Sequence, residues 1–247
     1  MIVLRSALFA LCQALVTPPF ALAMLLVAPF GSNAPYAVSR TWCRCVLVLA
    51  RVICGLDWRV EGLEHIPDRP VVVLSKHQSA WETILFPALF PRQVQVVKKE
   101  LLWVPFFGWA LALLRPIAID RKSGRAALEQ ILRQGRERLA KGWWVVVFPE
   151  GTRTAPGQRR EYAIGGAWLA ARTGTPVLPV AHNAGYFWRR NAFMKYPGTI
   201  TVRIGPPIAS EGTNPKQLNK IAENWIETEV SRIDRDHAPT DEARRSV

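Results

Sequence analysis

The chain opens with its longest apolar stretch. From Ser6 to Phe30 there is no charged residue. As one straight helix, these roughly 25 residues would reach about 37 Å, which exceeds a bilayer core of about 30 Å. Pro18 and Pro19 interrupt the stretch, and each half, at about 18 Å, is too short to span. The pattern therefore favours a helical hairpin that dips into one leaflet over a single kinked span.

A second apolar segment, residues 36–56, is also predicted to be a helix. At about 100° per residue, Arg40, Arg44 and Arg51 fall within about 40° of one another. A basic stripe on an otherwise apolar helix is typical of a helix at an anionic lipid surface. The alternative is an ordinary core helix whose basic face is solvated.

After Gly62, short β-branched runs alternate with amphipathic segments. This order predicts an α/β fold with a largely parallel sheet flanked by helices, next to the N-terminal membrane-associated hairpin. We divide the chain into N-terminal membrane-associated helices (1–58), an α/β domain (59–235) and a disordered polar tail (236–247). The predicted strands cover 70–75, 93–100, 115–121, 143–151, 176–183 and 199–207, and the predicted helices cover 79–90, 104–114, 124–142, 165–174 and 215–233.

Composition narrows the class of partner. The chain is 49% hydrophobic and 21% charged, which excludes global disorder, and its net charge of +13 predicts an anionic partner. The 10 tryptophans and the apolar N-terminus favour a membrane surface over nucleic acid, for which no motif occurs. The four cysteines lack metal-site spacing and are interpreted as buried free thiols in a reducing compartment. We expect no metal site.

Three polar stretches lie at the ends of predicted strands, where open α/β sheets place ligands. They are "KHQSAWE" (76–82), "IDRK" (119–122) and "FPEGTR" (148–153). Together they offer a base, carboxylates and several cations. This set suits transfer to or from a phosphate-bearing substrate.

His77 and Glu82 admit two interpretations. Residues five positions apart on one helix point about 140° apart, so the pair meets only if His77 precedes the helix and Glu82 lies in its first turn. An imidazole oriented by a carboxylate would be a general base. The other interpretation is structural, because Ser79 and Glu82 have the spacing of a helix-capping box.

The blocks "HQSAWE", "KKELLWVPFFGW", "IDR", "FPEGTR" and "VLPVAHNAG", within residues 60–210, resemble the glycerolipid acyltransferase family. The resemblance is specifically to bacterial 1-acyl-sn-glycerol-3-phosphate acyltransferases. It implies acyl transfer from acyl-CoA or acyl-carrier protein to the 2-hydroxyl of lysophosphatidic acid, which gives phosphatidic acid without an acyl-enzyme or another cofactor. It also implies an active site that faces the cytoplasm at the inner membrane.

The resemblance also implies roles for individual residues. His77 is the general base and Glu82 its partner, and backbone N–H groups near this loop stabilise the oxyanion. The implied substrate-binding residues are three cations, Lys98, Arg121 and Arg153, and the turn formed by Glu150, Gly151 and Thr152.

Two positions depart from the family pattern. Glu82 stands where aspartate is usual, and Ala163 stands at the usual lysine, so that Arg159 or Arg160 would have to supply the charge. The rival functions are acyl transfer to another lysolipid, such as an ornithine-type or lysophospholipid acceptor, and non-catalytic binding of anionic lipid.

Overall fold

The computed structural model describes residues 1–104, 107–120 and 123–237. Its helices are α1 (Ile2–Val27), α2 (Asn33–Cys54), α3 (Trp81–Leu89), α4 (Phe107–Leu113), α5 (Arg125–Ala140), α6 (Gly165–Thr173), α7 (Ala184–Phe187) and α8 (Pro215–His237). Its strands are β1 (Leu56–Glu61), β2 (Val72–Ser75), β3 (Gln93–Lys98), β4 (Ile117–Ile119), β5 (Trp144–Val147), β6 (Val177–His182) and β7 (Gly198–Ile204). The predicted tail beyond residue 237 lies outside the described residues and stays a prediction.

The strands form one sheet in the order β1-β7-β6-β2-β5-β3-β4. Every pairing is parallel except that between β6 and β7, which confirms the predicted α/β class. Because successive side chains of a strand point to opposite faces, Val73 and Val146 pack towards α2 and α3, whereas Val72 and Val145 pack towards α5, α6 and α8. The sheet is therefore covered on both faces, as parallel strands require.

Strand β1 is missing from the sequence prediction. It pairs in parallel with β7 from Leu56 to Glu61, so it begins three residues before the predicted domain boundary at residue 59 and crosses it. The alternating sequence "LDWRVE" is a half-buried strand pattern. The strand was missed because the preceding helix was predicted to run to residue 56. In the structure that helix ends at Cys54, and Gly55 caps it in the left-handed conformation.

Helix α1 corrects the prediction for the N-terminus. It is one uninterrupted helix of 26 residues that contains Pro18 and Pro19, so the predicted break there is wrong. Each proline removes the N–H that would bond the carbonyl four residues earlier, at Ala14 or Leu15, yet the helix continues through both. In the same turn Thr17 Oγ1 donates to the Gln13 carbonyl at 2.7 Å and accepts a bond from Trp42 Nε1 at 3.2 Å, which attaches this part of α1 to α2. The hairpin is instead formed by α1 and α2, which pack together.

Helix α2 has one buried and one exposed face. Val46, Leu47 and Ala50 pack into the core below the sheet, whereas Val48 and Val52 are exposed. Arg51 lies on the exposed side and forms an ion pair with Asp57 at 3.0 Å. The core-helix interpretation is therefore confirmed for one face, and lipid contact by the basic stripe stays a prediction.

Candidate active site

The loop between β2 and α3 brings His77 and Glu82 together. His77 precedes α3 and Glu82 lies in its first turn, and His77 Nδ1 lies 2.9 Å from Glu82 Oε1. Because a carboxylate only accepts hydrogen bonds, Nδ1 is the protonated nitrogen and Nε2 carries the lone pair. The imidazole also stacks on Phe148, with a centroid distance of 4.2 Å. The ring is thus fixed in one tautomer and one orientation.

The same carboxylate also caps the helix. Glu82 Oε1 accepts the backbone N–H groups of Gln78 at 2.9 Å and Ser79 at 2.8 Å, and Ser79 Oγ accepts the N–H of Trp81 at 3.1 Å. Glu82 Oε1 therefore serves both interpretations of the sequence, as the partner of His77 and as part of the helix cap. Burial pushes the pKa of Glu82 upward, but nearby His182 and the bonds from His77 and Ser79 outweigh it and hold the pKa below its ordinary value.

These contacts restrict which backbone N–H groups could form the expected oxyanion site. The N–H groups of Gln78 and Ser79 are committed to Glu82, and that of His77 donates to Glu150 Oε2 at 2.7 Å. None of these three donors is therefore available to a substrate oxyanion in this arrangement. The reason is the pair of carboxylates that the loop needs for its own conformation.

Glu150 is a buried brace rather than an exposed ligand. Its side chain accepts hydrogen bonds from the His77 N–H and from Thr154 Oγ1 at 2.8 Å, and it forms an ion pair with Lys76 Nζ at 2.8 Å. Thr154 N in turn donates to the His77 carbonyl at 2.8 Å. Burial raises the pKa of Glu150 despite the ammonium of Lys76. The turn after β5 therefore holds both backbone polar groups of His77.

His182 supports the same loop from β6. Its Nε2 lies 2.9 Å from the Lys76 carbonyl and its Nδ1 accepts the Ala184 N–H at 3.3 Å. This pattern, together with complete burial that lowers its pKa, keeps the ring neutral. These contacts indicate a structural role for His182, since both of its nitrogens are committed to the backbone.

The predicted cations are placed unevenly. Arg153 follows the Glu150 turn, is partly exposed, and has its Nη2 3.3 Å from Asn191 Oδ1. Lys98 ends β3 and is exposed, with Nζ 3.6 Å from Glu100. Arg121 falls outside the described residues. Gly151, at φ +70°, and Thr152 lie beside Arg153 in the turn.

The two arginines considered as substitutes for the lysine replaced by Ala163 point to different neighbours. Arg159 lies 3.5 Å from Glu227 of α8 and donates to Ser231 at 3.1 Å. Arg160 and Ala163 instead line a cavity of about 330 Å³ beside the Gly151 turn, on the α5 face of the sheet. Arg160 is therefore the better-placed substitute.

A second cavity, of about 310 Å³, lies on the opposite face of the sheet, between α1, α2, α3 and α4. Its wall is mostly apolar and includes Phe20, Met24, Trp42 and Leu111. Ala80, two residues before Glu82, also lines it. The apolar cavity thus extends to the first turn of α3, next to the His77 loop.

Lys76 and Glu227 belong to this site but were not predicted from the sequence. Lys76 is 1% exposed and pairs with Glu150 and with Glu227 of α8. A lysine that directly follows a buried strand was the available signal, because a buried ammonium needs a carboxylate partner. Its second partner lies 151 positions away, and no local pattern identifies it.

Comparison with known proteins places the chain in a family. A sequence model of the family described as Acyltransferase matches residues 57–183. The chain is 50% identical over 210 residues to the 1-acyl-sn-glycerol-3-phosphate acyltransferase of Pseudomonas aeruginosa, over 84% of this chain and 81% of that protein. The chain belongs to the acyltransferase family. This acyltransferase is also 31% identical over 185 residues to mouse 1-acyl-sn-glycerol-3-phosphate acyltransferase alpha, over 73% and 65% of the two chains.

The fold of this acyltransferase is also found in a solved structure. The crystal structure of the 1-acyl-sn-glycerophosphate acyltransferase PlsC from Thermotoga maritima has a TM-score of 0.69 and 22% identity, and the match covers 90% of this chain and 98% of that one. At this identity the likeness concerns the fold. It includes most of the chain, so the α/β fold predicted from the alternating strand and helix patterns is confirmed.

Proposed function

We propose that this acyltransferase moves a fatty acyl chain from acyl-CoA or acyl-carrier protein to the 2-hydroxyl of lysophosphatidic acid, which gives phosphatidic acid. The proposal is carried by the His77–Glu82 pair, whose Nε2 makes no hydrogen bond within the described residues while Nδ1 is held at 2.9 Å. The names of the Pseudomonas and mouse relatives support the choice of acceptor.

The reaction needs no acyl-enzyme. His77 Nε2 takes the proton of the acceptor hydroxyl as its oxygen attacks the thioester carbonyl carbon. The tetrahedral species then collapses, the carbon–sulfur bond breaks, and the imidazolium returns the proton to the leaving thiolate. Glu82 stabilises the imidazolium in between, and its buried position strengthens that interaction.

The acceptor phosphate is proposed to bind the cations after β5. Arg153 offers a planar guanidinium that matches phosphate oxygens, and it follows directly on the turn that braces His77. Lys98 and Arg121, implied by the resemblance, would add to this positive surface. Glu150, by contrast, would act through the loop conformation and would not touch the phosphate.

The apolar cavity is proposed to receive an acyl chain. It reaches Ala80 beside the His77 loop and is bounded by α1 and α4 on its far side. Burial of methylene groups there contributes about 0.8 kcal/mol each. A chain in this cavity would place its polar end near Nε2.

Membrane attachment is proposed to involve one leaflet at the cytoplasmic side of the inner membrane. Helix α1 has a mean hydropathy of 1.9 over its most apolar window, which is 11% buried. Both ends of α1 nevertheless contact the α/β domain: Ser6 Oγ accepts the Lys195 N–H at 2.9 Å, and Met24 lines the apolar cavity. A helix that crossed a bilayer could not keep both ends on one soluble domain, so α1 is proposed to lie along the surface.

A second segment supports this orientation. Trp103, four residues before α4, is 82% exposed. Phe107 and Trp109, both within α4, are 45% and 52% exposed. Tryptophan favours the membrane interface. Helix α4 packs against α1, so both segments are proposed to face the same lipid surface.

The proposal is tested with purified protein in detergent micelles, supplied with acyl-CoA or acyl-carrier protein and a panel of lysolipids. We expect transfer to lysophosphatidic acid, and we expect His77→Ala to lower the rate by about 10²–10⁴ while lipid binding is retained. Transfer solely to an ornithine-type or phosphocholine lysolipid would identify the rival acceptor. Binding without transfer by the unaltered protein would identify a lipid-binding protein.

A further inference from the structure

A buried cation adjoins the His77 loop. Lys76 is 1% exposed, and its Nζ lies 2.8 Å from Glu150 Oε1, 2.8 Å from Glu227 Oε1 and 3.2 Å from the Gln158 carbonyl. The ammonium donates hydrogen bonds to Glu227 Oε1 and to the Gln158 carbonyl and forms an ion pair with Glu150, so two carboxylates compensate its charge. Such burial is costly unless every donor is paired.

The cation reaches His77 through Glu150. Glu150 Oε1 is ion-paired with the Lys76 ammonium and accepts a hydrogen bond from Thr154 Oγ1, while Oε2 accepts the His77 N–H at 2.7 Å. Because the carboxylate is planar and is held at both oxygens, the ammonium helps to orient the oxygen that accepts the His77 N–H. Lys76 thereby sets the acceptor for the backbone of the proposed base without touching its ring.

Helix α8 fixes the cation in turn. Glu227 Oε1 accepts both Lys76 Nζ at 2.8 Å and Tyr162 Oη at 2.9 Å. Burial and the nearby carboxylates raise the pKa of Tyr162, which keeps its hydroxyl a donor. Glu227 is therefore held from a second side, and it connects the C-terminal helix to the loop that carries His77.

We propose that Lys76 and Glu227 are positioning residues for acyl transfer, acting through Glu150 on the backbone of His77. The proposal rests on the proposed role of His77 as the general base. Buried ion pairs contribute little net stability compared with apolar residues of similar volume, and fixing one conformation is a better-attested use for them. These contacts lie directly behind the proposed base. The backbone conformation that they fix therefore affects the rate of acyl transfer.

The test compares two glutamates of the same helix. Glu227→Leu removes the acceptor of Lys76 and Tyr162. Glu229→Leu is the matched control, because Glu229 is 8% exposed against 6% for Glu227 and pairs with Arg203 at 3.4 Å, away from His77. We expect Glu227→Leu to lower kcat at least tenfold with KM for both substrates within about twofold, and Glu229→Leu to change kcat less than twofold.

A second readout does not depend on acyl transfer. Amide hydrogen exchange of the peptide covering residues 75–82 should quicken at least tenfold in Glu227→Leu and remain unchanged in Glu229→Leu. Glu227→Gln, which can still accept both bonds, should keep both kcat and exchange near those of the unaltered protein. Glu227→Ala, which also removes the acceptor, is the test variant if the leucine variant does not fold, and the same losses are expected of it.

The outcomes separate the two proposals. Unchanged exchange and an unchanged kcat in Glu227→Leu would overturn the positioning role. Equal losses in the Glu227 and Glu229 variants would do so as well, because they would reflect stability alone. Faster loop exchange in a protein that transfers no acyl group at all would instead retain the positioning role and overturn the proposed function.

Discussion

Replacement of Glu82 by glutamine tests the centre of the site. The change keeps the shape of the side chain and removes its charge. In the structure, Oε1 accepts three N–H groups, from His77, Gln78 and Ser79, while Oε2 is buried without a hydrogen-bond partner among the described residues. The amide would therefore place an NH₂ group where no acceptor is available.

The magnitude follows from these contacts. A hydrogen bond to a charged group contributes about 1.5–3 kcal/mol and a neutral one about 0.5–1.5, so three weakened bonds cost about 3 kcal/mol in total. An unsatisfied buried amide group costs a further 1–3 kcal/mol, roughly. For a chain of this length, about 1 kcal/mol lowers Tm by about 2–4 °C. We therefore expect Tm to fall by roughly 8–24 °C. If Glu82 acts only as a helix cap, this loss of stability is the whole effect and kcat of the folded protein is unchanged.

The catalytic effect is separated by a control. Ser79→Ala removes only the hydroxyl that accepts the Trp81 N–H, which costs about 1 kcal/mol. Thiol release from acyl-CoA is measured at a temperature where circular dichroism shows each variant folded. We expect kcat of Glu82→Gln to fall at least tenfold and that of Ser79→Ala to change less than twofold. A Glu82→Gln protein with full kcat per folded molecule would refute the dyad.

Three further predictions concern the phosphate site, pH and the membrane. Arg153→Ala should raise the acceptor KM tenfold or more in steady-state assays while the donor KM changes little, because a charge-assisted contact contributes about 1.5–3 kcal/mol; an equal loss with a phosphate-free lysolipid would contradict this. The pKa of His182 in the folded protein lies below its ordinary 6.5, so its contribution to the free energy of unfolding is complete above about pH 6.5. That contribution is lost as the pH falls through the lower folded pKa, by up to about 1.4 kcal/mol per pH unit. Urea unfolding measured against pH should show this slope, and His182→Asn should lack it. Met1 is 98% exposed, and a cysteine placed there should react with a thiol-reactive, membrane-impermeant label from the cytoplasmic side of inner-membrane vesicles. Reaction solely from the other side would show that α1 spans the membrane.

The sequence predicted most of the α/β domain because its periodic patterns are local. The buried strand ending at Ser75, the amphipathic helix around Ile131 and the glycine cap at Gly174 each depend on neighbours within a few residues. The two prolines of α1 led to a wrong prediction of a break, because α1 is an uninterrupted helix that packs along α2, and such tertiary packing is not visible in the local sequence. Propensity is a weak predictor where such tertiary contacts exist.

The candidate site shows the same division. His77 and Glu82 were identified because their spacing and the following helix are both visible in the sequence. That one oxygen of Glu82 serves the dyad and the cap could not be predicted, because it depends on the loop conformation. The true surroundings of Glu150 were likewise hidden, since Lys76 and Thr154 reach it from different segments.

The contact between Lys76 and Glu227 has a consequence for biosynthesis. The two residues are separated by 151 positions, and a ribosome adds about 5–20 residues per second. The His77 loop is therefore made about 8–30 s before its brace from α8 exists. Throughout that interval α1 is already available to meet the membrane. The nascent chain can thus reach lipid before the candidate active site is assembled. A chain truncated ahead of α8 would carry all five motif blocks, but the loop of the proposed base would lack its contact with Glu227.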